Sequence, residues 1–81
     1  MKTLANGAQV LLEGIDRNDE DYCLCILEHG FATWAVDKDG NCYWGHYYSL
    51  TLGGLIDAVR DYRHRIGYQE DGTPIEEVKQ P

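Results

Sequence analysis

No run of apolar residues in this chain approaches the roughly 20 needed to cross a membrane as a helix. Cations are scarce: seven Lys and Arg stand against fourteen Asp and Glu, giving a net charge of −7. A surface of that sign repels phosphate backbones, so direct nucleic-acid binding is not expected, and a basic partner is favoured over an acidic one. There is no internal repeat and no linker, and 81 residues leave room for one domain. Met1-Lys2-Thr3 leads into a mixed segment, not the apolar stretch of a signal peptide. Three cysteines cannot all pair within one chain. Cys23 and Cys25, two apart, would share a strand face at about 7 Å between Cα atoms, poor for a disulfide. These features together are expected of a reduced, cytoplasmic protein.

What the chain does hold is an aromatic hairpin. The stretch from Phe31 to Tyr48 contains both tryptophans, the only phenylalanine and three of the six tyrosines. A domain this small buries only roughly 60% of the surface its unfolded chain exposes, so large aromatics are an efficient way to build its core. With 43% hydrophobic residues the composition is that of a folded chain.

In order along the chain, Leu4, Ala8, Leu11, Leu12 and Ile15 recur at helical spacing, which predicts a helix over 3–15. Gly7 and Gly14 weaken it by on the order of 1 kcal/mol each, and the rival is a strand with Val10 and Leu12 facing in. A polar, acidic loop follows at 16–21. Strands are predicted at about 21–28, 31–37 and 41–48. Glu28-His29-Gly30 closes the first hairpin, with Gly30 able to supply a positive φ. Asp37-Lys38-Asp39-Gly40-Asn41 closes the second. In the third strand strict alternation puts Tyr43, Gly45 and Tyr47 on one face and Cys42, Trp44, His46 and Tyr48 on the other. Leu52, Leu55, Ile56, Val59, Tyr62 and Ile66 make one apolar stripe, predicting a helix over 52–66 capped by Ser49 or Thr51 and ended by Gly67. From Tyr68 the chain turns polar and charged and reads as a flexible acidic tail over 68–81, with one strand-like contact around Ile75. The expected architecture is therefore α+β: a single domain over 1–67, a three-stranded antiparallel β-meander against a C-terminal amphipathic helix, and a preceding N-terminal helix. The expected core is Leu24, Ile26, Trp34, Val36, Leu55, Ile56 and Val59.

Residue types that carry chemistry are present without a motif. Cys23, Cys25, Cys42 and His46 fall on neighbouring strands and could ligate zinc or supply a reactive thiol, but the spacing matches no zinc knuckle and no third group orients a thiol–histidine pair. Small core hydrophobes are the simpler reading of the cysteines. Asp37–Asn41 lacks the sixth-position glycine and terminal glutamate of a calcium loop, and the hairpin turn accounts for it. Gly53-Gly54 lacks the context of a phosphate loop and reads as close packing or a bent entry to the helix. No catalysis and no cofactor are expected. The surplus of tyrosine and tryptophan over what one helix can cover points instead to a protein-interaction surface, for which Tyr22, Trp34, Tyr43, Trp44, Tyr47 and Tyr48 are the candidates. The partner would be a basic protein or a second copy of the chain.

Phe31-Ala32-Thr33-Trp34-Ala35-Val36-Asp37, then Gly40-Asn41, then Tyr43-Trp44-Gly45-His46-Tyr47-Tyr48 and a helix ending in arginines resembles a pattern in uncharacterised small proteins of Gram-positive bacterial phages, plasmids and conjugative elements. The resemblance spans residues 20 to 66. It implies an accessory role in a mobile element, such as interference with a host system. An inhibitor of the anti-CRISPR or DNA-mimic type is the sharper alternative, and it carries no assigned chemistry to any residue.

Overall fold

The computed structural model describes residues 2–67. Four strands run as an antiparallel meander, β1 (Gln9–Ile15), β2 (Asp21–Leu27), β3 (Gly30–Val36) and β4 (Cys42–Ser49), in sheet order β1-β2-β3-β4. The helix α1 (Leu52–Arg65) packs on β4, β3 and β2. The class is α+β, but with four strands in place of the expected three and no helix at 3–15. The expected tail at 68–81 and its contact around Ile75 lie outside the described residues. Among those described, no helix is long and apolar enough to cross a membrane.

The strand at residues 9–15 has a local cause. Asn6-Gly7 makes a tight turn in which Gly7 adopts φ +89° and the Asn6 side chain accepts from the Ala8 N–H at 3.0 Å. Leu4 N–H donates to the Ala8 carbonyl at 2.8 Å, and Thr3 bridges Gln9. The chain thus doubles back before β1 begins, which a continuous helix does not allow. Leu11 is then an extra residue against β2, a bulge that turns Val10 (opposite Cys25) and Leu12 (opposite Leu24) to opposite faces. Val10 is buried; Leu12 is 44% exposed.

The sheet is covered on both faces by different means. On one, Leu24 and Phe31 pack with Ala58 and Tyr62 of α1, flanked by Ile26, Tyr48, Leu55 and Val59. On the other, Cys23, Cys25, Ala32 and Trp34 pack beneath Leu4 and Ala8 of the N-terminal segment. β3 is buried along nearly its whole length, as a central strand covered on both sides must be. Of the expected core, Leu24 and Trp34 are buried, Ile26, Val36, Leu55 and Val59 half-buried, and Ile56 is 43% exposed. The helix turns Gly54, Ala58 and Tyr62 to the sheet, a four-residue ridge whose first two members are small, so the larger residues of the stripe flank the contact. Gly54 is obligatory there, since a Cβ would lie 1.8 Å from the Ser49 carbonyl oxygen; close packing accounts for Gly54, whereas a Cβ at Gly53 would meet only Thr51 Oγ1, at 3.9 Å. Thr51 caps the helix by accepting from the Gly54 N–H at 2.9 Å, and Gly67 ends it at φ +98°.

Gly30 differs from expectation in a similar way. It has no positive φ; Glu28 and His29 close the β2–β3 hairpin, and Gly30 is needed because a Cβ would meet the Tyr48 carbonyl at 2.2 Å.

The two loops at the other end of the sheet are built alike. In each, an aspartate (Asp16, Asp37) bonds through its N–H to the carbonyl four residues on, and its side chain accepts from the N–H groups two and four residues on. In each the fourth residue takes a left-handed φ, +61° at Asp19 and +86° at Gly40. The Asp37 carboxylate is spoken for by its own loop. The Asn41 bonds, outweighing slight desolvation, hold its pKa below the usual carboxylate range.

Candidate functional site on the fourth strand

β4 does not alternate as its sequence suggests. Thr33 faces His46 and Ala35 faces Tyr43, so Trp44 and Gly45 together oppose Trp34. This bulge resets the faces. Tyr43 joins His46 and Tyr48 on the helix side, while Cys42, Gly45 and Tyr47 lie on the Trp34 side. Trp44 belongs to neither face. Its φ is +54°, a region that bulky side chains rarely occupy, and its ring is 65% exposed. The Tyr43 ring meets it edge to face, 4.8 Å between centroids at 68°. The Tyr43 hydroxyl donates to Glu20 Oε2 at 2.9 Å. That bond, with some desolvation and the Glu20 and Asp37 charges, raises the pKa of Tyr43.

Gly45 is the second half of the bulge. A Cβ there would come within 2.6 Å of Trp34 Nε1 and 2.7 Å of the Tyr47 hydroxyl. Its absence lets Trp34 Nε1–H donate to Tyr47 at 3.2 Å, with the rings edge to face at 6.0 Å. Tyr47 lids the buried Trp34 while itself remaining 69% exposed.

Beneath Trp44 sits a polar cluster that the sequence reading missed. The Trp44 carbonyl accepts from Arg65 Nη2. Arg65, with only 11% of its side chain exposed, lies over the Tyr22 ring (5.6 Å from Cζ to the centroid) and places Nε 3.7 Å from Asp61 Oδ1. Asp61 Oδ2 accepts from Thr33 Oγ1 at 2.5 Å and lies 2.8 Å from His46 Nδ1. A carboxylate oxygen only accepts, so that imidazole nitrogen carries the proton. Arg65 Nη2 is 3.0 Å from both nitrogens of the same ring. With Nδ1 protonated only Nε2 keeps a lone pair, so Nε2 is the atom of the ring that can accept from Arg65. Burial pushes the Asp61 carboxyl up, but bonds from Thr33, His46 and Tyr48 pull harder and leave its pKa below the usual value. Burial, then the bond to Asp61, pushes Tyr48 up to about 12. The signal was available: Asp61 and Arg65 are four apart near the end of the helix, on the side that meets β4.

Of the six aromatics singled out in the sequence, the structure exposes Trp44 and Tyr47, half-buries Tyr22, Tyr43 and Tyr48, and buries Trp34 at 5% exposure. Cys23, Cys25 and Cys42 lie on the Trp34 side and His46 on the helix side, so the four do not converge, and no cluster fit for a metal occurs among the described residues. The Cys23 and Cys25 sulfurs are 3.6 Å apart and buried. The Cys25 thiol's bond lowers the pKa of Cys23, and that same bond, with burial, pushes Cys25 up. Two open clefts of about 560 and 570 Å³ flank the sheet, the first floored by Leu4, Val10, Cys23 and Val36, the second by Leu27, Phe31, Tyr47 and Tyr48. Neither is lined by His46, Asp61 or Arg65. Comparison with protein-family models, with curated proteins and with solved structures finds no match.

Proposed function

We propose that this chain is a non-enzymatic protein-interaction module whose contact surface is the outer side of β4, with Trp44 as its anchor and Tyr47 beside it. The observation that carries this reading is Trp44 itself. A left-handed backbone costs a bulky residue roughly 1–2 kcal/mol, and here that conformation holds an indole in water, clamped from below by a largely buried arginine. The bulge and the Arg65 bond to the Trp44 carbonyl hold that backbone in place, and strain retained in a fold motivates a hypothesis of use. Tryptophan and tyrosine are also the side chains that dominate binding energy at interfaces.

Two further observations support it. β4 pairs only with β3 among the described residues, so its other edge offers backbone groups to a partner. Cys42–Ser49 contains no Asp, Glu, Lys, Arg or Pro, so apart from the bulge at Trp44-Gly45 it lacks the usual guards of an open edge. Against catalysis, the Thr33 and Tyr48 hydroxyls are both engaged by Asp61, and Arg65 Nη2 lies 3.0 Å from each nitrogen of the imidazole. The setting we attach to this module, an accessory protein of a bacterial mobile element, rests on the resemblance of residues 20–66 alone, and its placement in the cytoplasm on the unpaired cysteines.

The test is capture from host lysate on the immobilised chain, beside light scattering of the pure protein, each repeated with Trp44→Ser. A bound protein or a dimer that disappears with Trp44→Ser supports the reading. A monomer that captures nothing, or a partner held equally well by the variant, rejects it.

A further inference from the structure

We propose that the corner between the Trp44 and Tyr43 rings, backed by the Glu20 carboxylate, binds a cationic side chain, the guanidinium or ammonium of an Arg or Lys presented by the partner protein. The inference rests on the reading of β4 as the contact surface and assigns the chemistry it selects.

Three independent features converge on it. The first is the aromatic geometry. The two rings meet at 68° with centroids 4.8 Å apart, so they form two walls of a corner, and the indole wall is open to solvent. Tryptophan has the strongest face for a cation, arginine is the side chain found over such faces more often than lysine, and aromatic cages are the recurring site for quaternary ammonium groups. The second is the carboxylate. Glu20 reaches the Tyr43 hydroxyl through one oxygen, which fixes it beside the corner and leaves Oε1 to accept from a bound cation.

The third is the distribution of charge. The two loops at this end of the sheet, with the first residue of β2, carry Asp16, Asp19, Glu20, Asp21, Asp37 and Asp39 against Arg17 and Lys38. The remaining described residues carry four carboxylates and four Lys or Arg. The excess negative charge of residues 2–67 therefore sits at the end where Tyr43 and Trp44 lie. Arg65, below the corner, is matched by Asp61 and engaged by the Trp44 carbonyl. Arg63, exposed on the last turn of α1, opposes a cation arriving over the helix, which favours approach from the loop side.

The experiment is a heteronuclear NMR titration of the full chain with acetyl-Ser-Gly-Arg-Gly-Ser-amide, its lysine counterpart, and the same peptide carrying citrulline, which keeps the shape and removes the charge. The arginine peptide is expected to shift the Trp44 indole N–H and the Tyr43 and Glu20 amides, with affinity about tenfold above the citrulline peptide at low salt. That margin should shrink in Glu20→Gln and as salt is raised. Citrulline binding as well as arginine, shifts confined to the clefts, or no shift at millimolar peptide each overturn the proposal. Glu20→Gln is a conservative change at a partly exposed position, and its own spectrum reports whether the fold persists. Loss of partner capture by Trp44→Ser without any preference for arginine removes the cation but leaves the contact surface standing. Capture unaffected by Trp44→Ser removes both.

Discussion

Arg65 Nη2 donates to the carbonyl oxygen of Trp44, joining the last residue of the helix to the one strained residue of the edge strand. A bulge leaves a carbonyl without its ladder partner, and a hydrogen bond from a charged donor contributes on the order of 1 kcal/mol or more. The guanidinium supplies that donor while its other contacts, Asp61, His46 and the Tyr22 ring, hold it in place.

A lysine cannot reproduce this. One ammonium on a flexible stem does not reach the Trp44 carbonyl and Asp61 together, and it does not stack. Arg65→Lys and Arg65→Ala are each expected to lower stability by about 1–3 kcal/mol in urea unfolding, with alanine the worse because Asp61 loses its counter-charge. A loss below about 0.5 kcal/mol in both would show that solvent satisfies the bulge unaided.

The twin loops make a second prediction. Asp19 and Gly40 occupy the same left-handed position in the same turn, and only one of them is glycine. Asp19→Gly removes the backbone penalty, offset in part by the greater freedom of glycine in the unfolded chain. The net gain should be about half a kcal/mol, a rise of roughly 2–4 °C in melting temperature. Gly40→Ala should move stability the other way by more, because its φ of +86° suits no L side chain.

Stability should fall at both ends of the pH scale for identifiable reasons. The folded pKa of Asp61 is lowered, so its contribution is present above the unfolded value of about 3.9 and is lost as pH falls through the folded one. The folded pKa of Tyr48 is raised to about 12, so its contribution is present below the unfolded value of about 10 and is lost as pH rises towards 12. Asp61→Asn should flatten the acid limb of unfolding free energy against pH, and Tyr48→Phe the alkaline limb. Acid limbs of equal slope in the wild type and Asp61→Asn would show that other carboxylates, Asp37 among them, dominate.

Most of the sheet and helix was legible because alternation, turn residues and helical spacing agree over residues 21–67. Two places resisted. At 3–15 the apolar residues happen to fall at helical intervals, and the decisive signal was the short pair Asn6-Gly7, which turns the chain whatever the pattern around it. In β4 the residues were assigned to a strand correctly but to the wrong faces, because one extra residue at Trp44-Gly45 inverts alternation on one side of it, and nothing in a period-two pattern marks a bulge. The site suffered from the same error. Tyr43 was grouped with Tyr47, when it lies on the helix side with His46. Trp34 stands in both the expected core and the interface candidates; it is a core residue, and its one polar side-chain atom is satisfied by Tyr47. The cluster joins His46 to Asp61 and Arg65, 15 and 19 residues on, a separation that only the packed helix closes.

The exposed pair Trp44 and Tyr47 should divide cleanly between stability and binding. Tyr47 lids Trp34 and accepts its indole hydrogen bond, so Tyr47→Ser uncovers a core tryptophan and should cost about 1–2 kcal/mol. Trp44 covers nothing comparable. In Trp44→Gly the left-handed penalty of about 1–2 kcal/mol disappears, while the pair with Tyr43 loses about 0.5–1.5 kcal/mol and glycine adds roughly 0.5–1 kcal/mol of unfolded-state entropy. These nearly cancel, so Trp44→Gly should unfold within about 1 kcal/mol of the wild type yet lose partner capture and the arginine preference together. Chemical denaturation and the capture assay on the same preparations decide it. A variant weakened by about 3 kcal/mol or more with capture intact would make the indole a piece of the fold, and the strain at Trp44 would then need a structural account.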